Sequence, residues 1–85
     1  MVQKRILGIL ITDRKKEAGE VQKILTQYGS TIKTRLGLHE VNSDALSEEG
    51  LILLELAGSE TEMDNLQKKL ETIDGTQTQK MDFSL

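Results

Sequence analysis

His39 is the chain's one histidine, and it is the side chain best suited to acid–base or metal chemistry near neutral pH. Glu40 follows it directly, and Asp44 stands a few residues on. One histidine with two carboxylates falls short of a zinc or nickel ligand set within one chain. A symmetric contact between two copies would double the donors; otherwise His39 is a solvated loop residue. No metal is therefore assigned. Cysteine is absent, which removes thiolate nucleophiles, disulfides and Cys-x-x-Cys metal carriers. Neither a Gly-x-Ser-x-Gly elbow nor a phosphate-binding Gly-x-x-x-x-Gly-Lys loop occurs, so no serine or lysine is singled out for catalysis. The expectation is a protein that is not an enzyme and needs no cofactor.

The basic residues form two groups. Arg14-Lys15-Lys16 follows Asp13 at a helix start. Three cations there oppose the helix macrodipole, at a cost of about 0.3–1 kcal/mol each when exposed. The same cations and the free N–H groups would favour an anionic ligand or an acidic partner, unless water alone solvates them. Asp13 offsets part of the penalty. Lys33 and Arg35 belong to a strand and are expected on its helix-free side, where they could meet carboxylates of a neighbouring subunit. Arg35 stands beside Gly37, which leaves room around it. Residues 1–42 hold eight Lys and Arg against four Asp and Glu, and residues 43–85 hold three against ten. A net charge of −3 with two aromatic residues argues against nucleic-acid binding.

Six segments must position these groups. Lys4–Thr12 is apolar on both alternating sets, as a central strand covered on both sides would be. Thr12 or Asp13 then caps an amphipathic helix, Arg14–Tyr28, with Ala18, Val21, Ile24, Leu25 and Tyr28 at helical spacing. Gly29 is expected to end it in a left-handed conformation. Thr31–Leu38 alternates, with Ile32, Thr34, Leu36 and Leu38 on one side and Lys33, Arg35 and Gly37 on the other; its charges suit a sheet edge. Residues 39–49 form a polar loop. Leu51–Ala57 is a second strand apolar on both faces. Ser59-Glu60-Thr61-Glu62 fits a capping box, and Met63, Leu66, Leu70 and Ile73 mark a helix ending near Asp74-Gly75. Thr76–Leu85 is the last strand, with Met81, Phe83 and Leu85 on one side.

The order βαββαβ with right-handed crossovers gives an α+β, ferredoxin-like sandwich. It is a single domain over residues 1–85, with a four-stranded antiparallel sheet of order 4-1-3-2 and both helices on one face. The first and third strands then lie in the middle, in agreement with their two apolar sides. Helices cover one face only, so the other face exposes Ile and Leu over a few hundred Å2, large for a monomer. A second copy is expected to cover it, as a symmetric dimer or higher homo-oligomer. The loop 39–49 or the C-terminal segment folding over that face is the other possibility. The apolar run Ile6–Ile11 is short for a signal sequence, and no stretch reaches the roughly 20 apolar residues of a membrane span. The chain is read as cytoplasmic, without membrane partners.

Ile9-Leu10-Ile11-Thr12-Asp13-Arg14, Tyr28-Gly29 and Arg35-Leu36-Gly37-Leu38 together resemble the small regulators linked to iron-only hydrogenase systems. That family is similar to ACT domains and to the C-terminal sensing domain of nickel-responsive repressors. The resemblance implies oligomerisation through the sheet and a small effector at subunit contacts. It places the ligand near Asp13, Arg14, Arg35, Gly37 and His39. The chain departs from the family after Gly37, where Leu38-His39 stands in place of a Pro-Tyr-like pair, in Gln67-Lys68-Lys69-Leu70 of the second helix, and at Lys80-Met81-Asp82-Phe83. A sister group with a different task fits these departures. The implied function is a non-catalytic regulatory or effector-sensing domain. The alternative is an interaction module that docks a partner enzyme through its sheet face or edge strand.

Overall fold

The computed structural model describes residues 2–38 and 49–84, with positions 14, 15 and 38 described by their backbone alone. His39, Glu40 and Asp44, with the rest of the expected polar loop up to residue 48, lie outside the described residues, as does Leu85. The elements follow the expected order: β1 (Lys4–Ile11), α1 (Arg14–Gln27), β2 (Ile32–Leu38), β3 (Gly50–Leu56), α2 (Glu60–Glu71) and β4 (Thr76–Phe83). The sheet order is β2-β3-β1-β4, with every neighbouring pair antiparallel. This is the expected 4-1-3-2 arrangement seen from the other edge, with both helices on one face.

Period-two alternation splits β1 and β3 between the two faces. Leu7, Ile9 and Ile11 of β1 and Ile52, Leu54 and Leu56 of β3 are buried on the helix side. Val21 and Leu25 of α1 meet them, together with Met63, Leu66 and Leu70 of α2 and the following Ile73. Among the described residues twelve aliphatic or thioether side chains thus form the core, and no aromatic side chain is among them.

Each helix has a side-chain cap that satisfies one of its free N–H groups. Asp13 is the cap of α1: its Oδ1 accepts from the Lys16 N–H at 3.3 Å. Ser59 caps α2 by accepting from the Glu62 N–H at 3.1 Å. The exit from α1 differs from expectation. Gly29 is not left-handed; among the described residues only Gly58 (φ 109°) and Gly75 (φ 84°) have positive φ. The chain instead leaves α1 through tight right-handed turns, with Gly29 N–H donating to Thr26 O at 3.3 Å and Thr31 N–H to Tyr28 O at 2.9 Å.

β2 also departs from simple alternation. Ile32 stands opposite Leu56, but Thr34 stands opposite Glu55, so Lys33 is an extra residue in a bulge. Beyond the bulge the phase is reversed. Ile32 packs against the core, whereas Leu36 stands opposite Leu53 on the helix-free face and is 52% exposed. Arg35 and Gly37 stand opposite Leu54 and Ile52, and therefore on the helix side. The expectation that Arg35 points to the helix-free side is thus corrected, because one inserted residue exchanges the faces of all that follow.

Candidate functional site

The end of the sheet where β1 stops is built around a buried carboxylate. Glu17, in the first turn of α1, is 3% exposed. Its Oε1 accepts from the Asp13 N–H at 2.9 Å, and its Oε2 accepts from the Thr76 hydroxyl at 3.0 Å. The Thr12 hydroxyl lies 2.8 Å from Gly75 O and 3.2 Å from Glu17 Oε1, and its single proton serves one of them at a time. The Thr12 N–H also donates to Gly75 O, at 3.1 Å. One carboxylate thereby joins the start of α1 to the turn that begins β4. Gly75 is required there: its φ is positive, and a Cβ would stand 2.6 Å from Glu17 Oε1.

A second charged cluster holds the opposite end of β1. Arg5 lies on the helix side in phase with Leu7, and is 1% exposed. It donates through Nε to Asp82 Oδ1 at 2.6 Å, through Nη2 to Asp82 Oδ2 at 3.2 Å, and through Nη1 to Asp64 Oδ1 at 2.9 Å. These bonds raise the guanidinium pKa, with the Asp82 bond the largest cause, and hold the Asp82 carboxyl below its ordinary range. On the helix-free face, Glu55 bridges Lys4 Nζ at 2.6 Å and accepts from the Thr34 hydroxyl at 2.8 Å. The bond from Lys4, and then that from Thr34, lowers the Glu55 pKa.

The sequence-derived site residues are partly gathered. β1 and β2 both pair antiparallel with β3, so they run parallel and end at the same edge of the sheet. Asp13 and Arg14 follow β1 there, and Gly37 is near the end of β2, one strand away across β3. Arg35 is exposed two residues further in, level with Leu54 and Leu7. His39 lies outside the described residues. A groove beside the first turn of α1 is lined by Lys16, Glu17, Glu20, Thr72, Ile73 and Asp74, and includes none of these five. Among the described residues no group of three His, Cys, Asp or Glu could hold a metal ion.

Sequence reasoning missed Arg5, Glu17 and their partners, although a signal was present for both. Arg5 is two residues before Leu7 in the period of the core face. Glu17 is four residues before Val21 in the helical period of the α1 stripe. Both are charges at apolar positions, which is where a buried, paired group belongs.

Among the described residues the helix-free face is the most exposed apolar surface. Across the strands its ladder positions run Leu36, Leu53, Gly8, Gln79 in one row and Thr34, Glu55, Ile6, Met81 in the next, with Leu51 beside Leu10 and Phe83 beside Lys4. Leu36 (52%), Leu51 (36%), Met81 (59%) and Phe83 (45%) are exposed large hydrophobic residues, and all four are here.

A four-stranded βαββαβ sheet with one helix-covered face is a ferredoxin-like domain, and the clusters just described join its elements to one another. The chain belongs to the TM1266-like family, whose model, described as "Iron-only hydrogenase system regulator, putative", matches residues 3–80. It is accordingly a regulatory protein and not an enzyme. This agrees with the resemblance carried by Ile9–Arg14, Tyr28-Gly29 and Arg35–Leu38. Among solved structures it is similar to the uncharacterised protein TM1266 from Thermotoga maritima, at 23% identity and TM-score 0.83, over 99% of this chain and 100% of that one. An unknown protein from Galdieria sulphuraria matches at 13% identity and TM-score 0.64, over 100% of this chain and 47% of that one. A nitrogen regulatory PII-like protein, CPII from Thiomonas intermedia K12, bound to ADP, AMP and bicarbonate, matches at 11% identity and TM-score 0.59, over 96% and 91% of the two chains. These likenesses establish the shared fold. No curated protein matches the chain significantly.

Proposed function

We propose that the chain works as a cytoplasmic, homo-oligomeric effector sensor. Copies associate through the helix-free sheet face, and a small ligand binds where subunits meet, near Asp13, Arg14, Arg35, Gly37 and His39. The observation that carries this reading is the exposure of Leu36, Leu51, Met81 and Phe83 together on one face of the sheet. Such a patch is costly to leave in water and is expected to be covered. The arrangement at the sheet end supports the ligand reading: a helix start with three cations, after β1, and the end of the edge strand β2, which carries the exposed Arg35, lie at the same end of the sheet with β3 between the two strands. That setting suits an anionic effector. The PII-like protein bound to nucleotides and bicarbonate is an instance of a related fold that holds such molecules. Among the described residues no helix is long and apolar enough to cross a membrane.

A thermal-shift panel of nucleotides, other anionic metabolites and divalent metals tests the proposal, because a ligand of the folded state raises its apparent stability by mass action. At least one anion should raise the midpoint of the intact chain, and Arg35→Ala or His39→Ala should abolish that rise while the fold persists. A flat response across the panel would count against effector sensing. Stoichiometric capture of a partner enzyme by a monomeric chain would favour the docking reading instead.

A further inference from the structure

Gly8 lies in the middle of β1 and near the centre of the helix-free face, between Leu53 of β3 and Gln79 of β4. Nothing within the chain requires a glycine there. Its φ is not positive, and an added Cβ would meet Leu53 Cδ2 at 3.6 Å and Gln79 O at 3.8 Å, which are ordinary contacts. Gly75 shows the contrast, since there both backbone conformation and the Glu17 carboxylate exclude a side chain. A glycine inside a central strand weakens it by adding chain entropy and removing a packing group. One physical reason for a glycine inside a strand, besides a bulge or a tight bend, is the close approach of another group.

We infer that Gly8 is a socket in this face, occupied in the assembled protein by an apolar side chain from the same face of a second copy. This rests on the oligomeric reading above and specifies its contact point. The rim is mostly apolar: Ile6 and Leu10 flank Gly8 along β1, Leu53 stands beside it and Leu51 and Met81 stand at two diagonals, while Gln79 faces Leu53 across it and Glu55 and Gln77 take the other diagonals. The charge distribution selects a second copy. The ladder positions of this face carry one cation and one anion, Lys4 and Glu55, already joined at 2.6 Å, and the exposed Lys33 in the edge bulge adds its attraction to the same Glu55. Two such faces meet without net repulsion, whereas a strongly charged partner would find no complementary charge on it. The area is adequate but not large. Four strands about 4.8 Å apart, about seven residues long at about 3.3 Å per residue, project to about 400 Å2. Side-chain relief brings the surface removed from two copies to on the order of 1,000 Å2 or more, at the lower end of specific interfaces. The association should therefore depend visibly on concentration.

The test is sedimentation of the intact chain over a concentration series, for wild type, Gly8→Ala and Gly8→Val. Circular dichroism melts are taken at dilutions where wild type is dissociated. Gly8→Ala should melt at or above the wild-type midpoint, since an added Cβ meets only ordinary contacts. The dissociation constant should rise about tenfold or more for Gly8→Val, and less for Gly8→Ala, because the socket is filled. If Gly8→Val fails to fold, Gly8→Ala decides alone. Variants that are folded and associate as tightly as wild type overturn the socket while leaving the oligomer standing. A wild type that is monomeric at every concentration removes the oligomeric reading and the socket with it.

Discussion

Arg5 and Asp82 stand directly opposite each other on β1 and β4 and share two hydrogen bonds, of 2.6 and 3.2 Å, in a position where Arg5 is 1% exposed. Asp64 adds a third bond from α2 at 2.9 Å. The guanidinium thus links the edge strand, the central strand and the covering helix.

Removing one partner of such a buried charge costs more than removing the charge itself. Asp82→Ala leaves the guanidinium with Asp64 alone, and should destabilise the fold by about 2–4 kcal/mol. Arg5→Met puts an apolar side chain of similar length among apolar neighbours and should cost less. Asp64→Ala should cost about 1 kcal/mol, because the Asp64 side chain is 45% exposed and water replaces part of its role. Urea unfolding of the three variants gives the ranking. A larger loss for Arg5→Met than for Asp82→Ala would contradict it.

The same pair sets an acid limb to stability. Arg5 holds the folded-state pKa of Asp82 below its ordinary value, with burial opposing. A lowered folded-state pKa contributes stability above the unfolded value, about 3.9, and that stability is lost as pH falls through the folded value. The loss therefore lies below about pH 4 and leaves neutral pH untouched. The gap in unfolding free energy between wild type and Asp82→Asn should narrow steadily from about pH 5 to about pH 2. Glu55, held low by Lys4 and Thr34, contributes a limb of the same sign. Its Lys4 partner is 43% exposed at the side chain, so that part should shrink at about 1 M salt.

What the sequence made legible follows the two periodicities. The helices and strands, the sheet order and the central position of β1 and β3 all came from apolar spacing, because a buried face repeats every two or 3.6 residues. β2 was legible as a strand but not in its facing. The bulge at Lys33 leaves no mark in a short run of alternating residues, and it moved Leu36 outward and Arg35 to the helix side. Arg5, Glu17 and Asp82 escaped for another reason. A single charge inside an apolar period has no visible partner until the chain is folded; Arg5 and Asp82 are 77 residues apart. Of the candidate site, the sequence offered Asp13, Arg14, Arg35, Gly37 and His39 as ligand-binding residues without showing which share an end of the sheet, and Gly8 became distinctive only once its neighbours were known.

Glu17 and Gly75 should behave as a coupled pair. Gly75→Ala forces a Cβ into a left-handed backbone and to within 2.6 Å of the buried carboxylate. The combined strain should cost about 2–3 kcal/mol. Glu17→Ala leaves the Asp13 N–H and the Thr76 hydroxyl without their acceptor, and should cost about 2 kcal/mol. In the double variant the clash has gone because its second member has gone. The two losses should fall short of additivity by about 1 kcal/mol or more in a double-mutant cycle. Strict additivity would show that the carboxylate simply swings clear of the alanine.

Leu36 and Met81 lie toward opposite edges of the helix-free face, on β2 and β4, and among the described residues are its two most exposed large apolar side chains at 52% and 59%. In an isolated subunit either position should accept lysine with little penalty, within about 0.5 kcal/mol, since the ammonium stays in water and the core is untouched. Between two apposed sheets the same ammonium would lose its hydration without a carboxylate to replace it, because Glu55 is already bound to Lys4. Leu36→Lys and Met81→Lys should therefore leave dilute-solution melting unchanged and weaken association, each by about tenfold or more. Combining them should leave a soluble monomer at concentrations where wild type associates. Association that survives the double substitution would mean that the copies meet elsewhere, and the exposed row from Leu36 to Met81 would then need a different occupant.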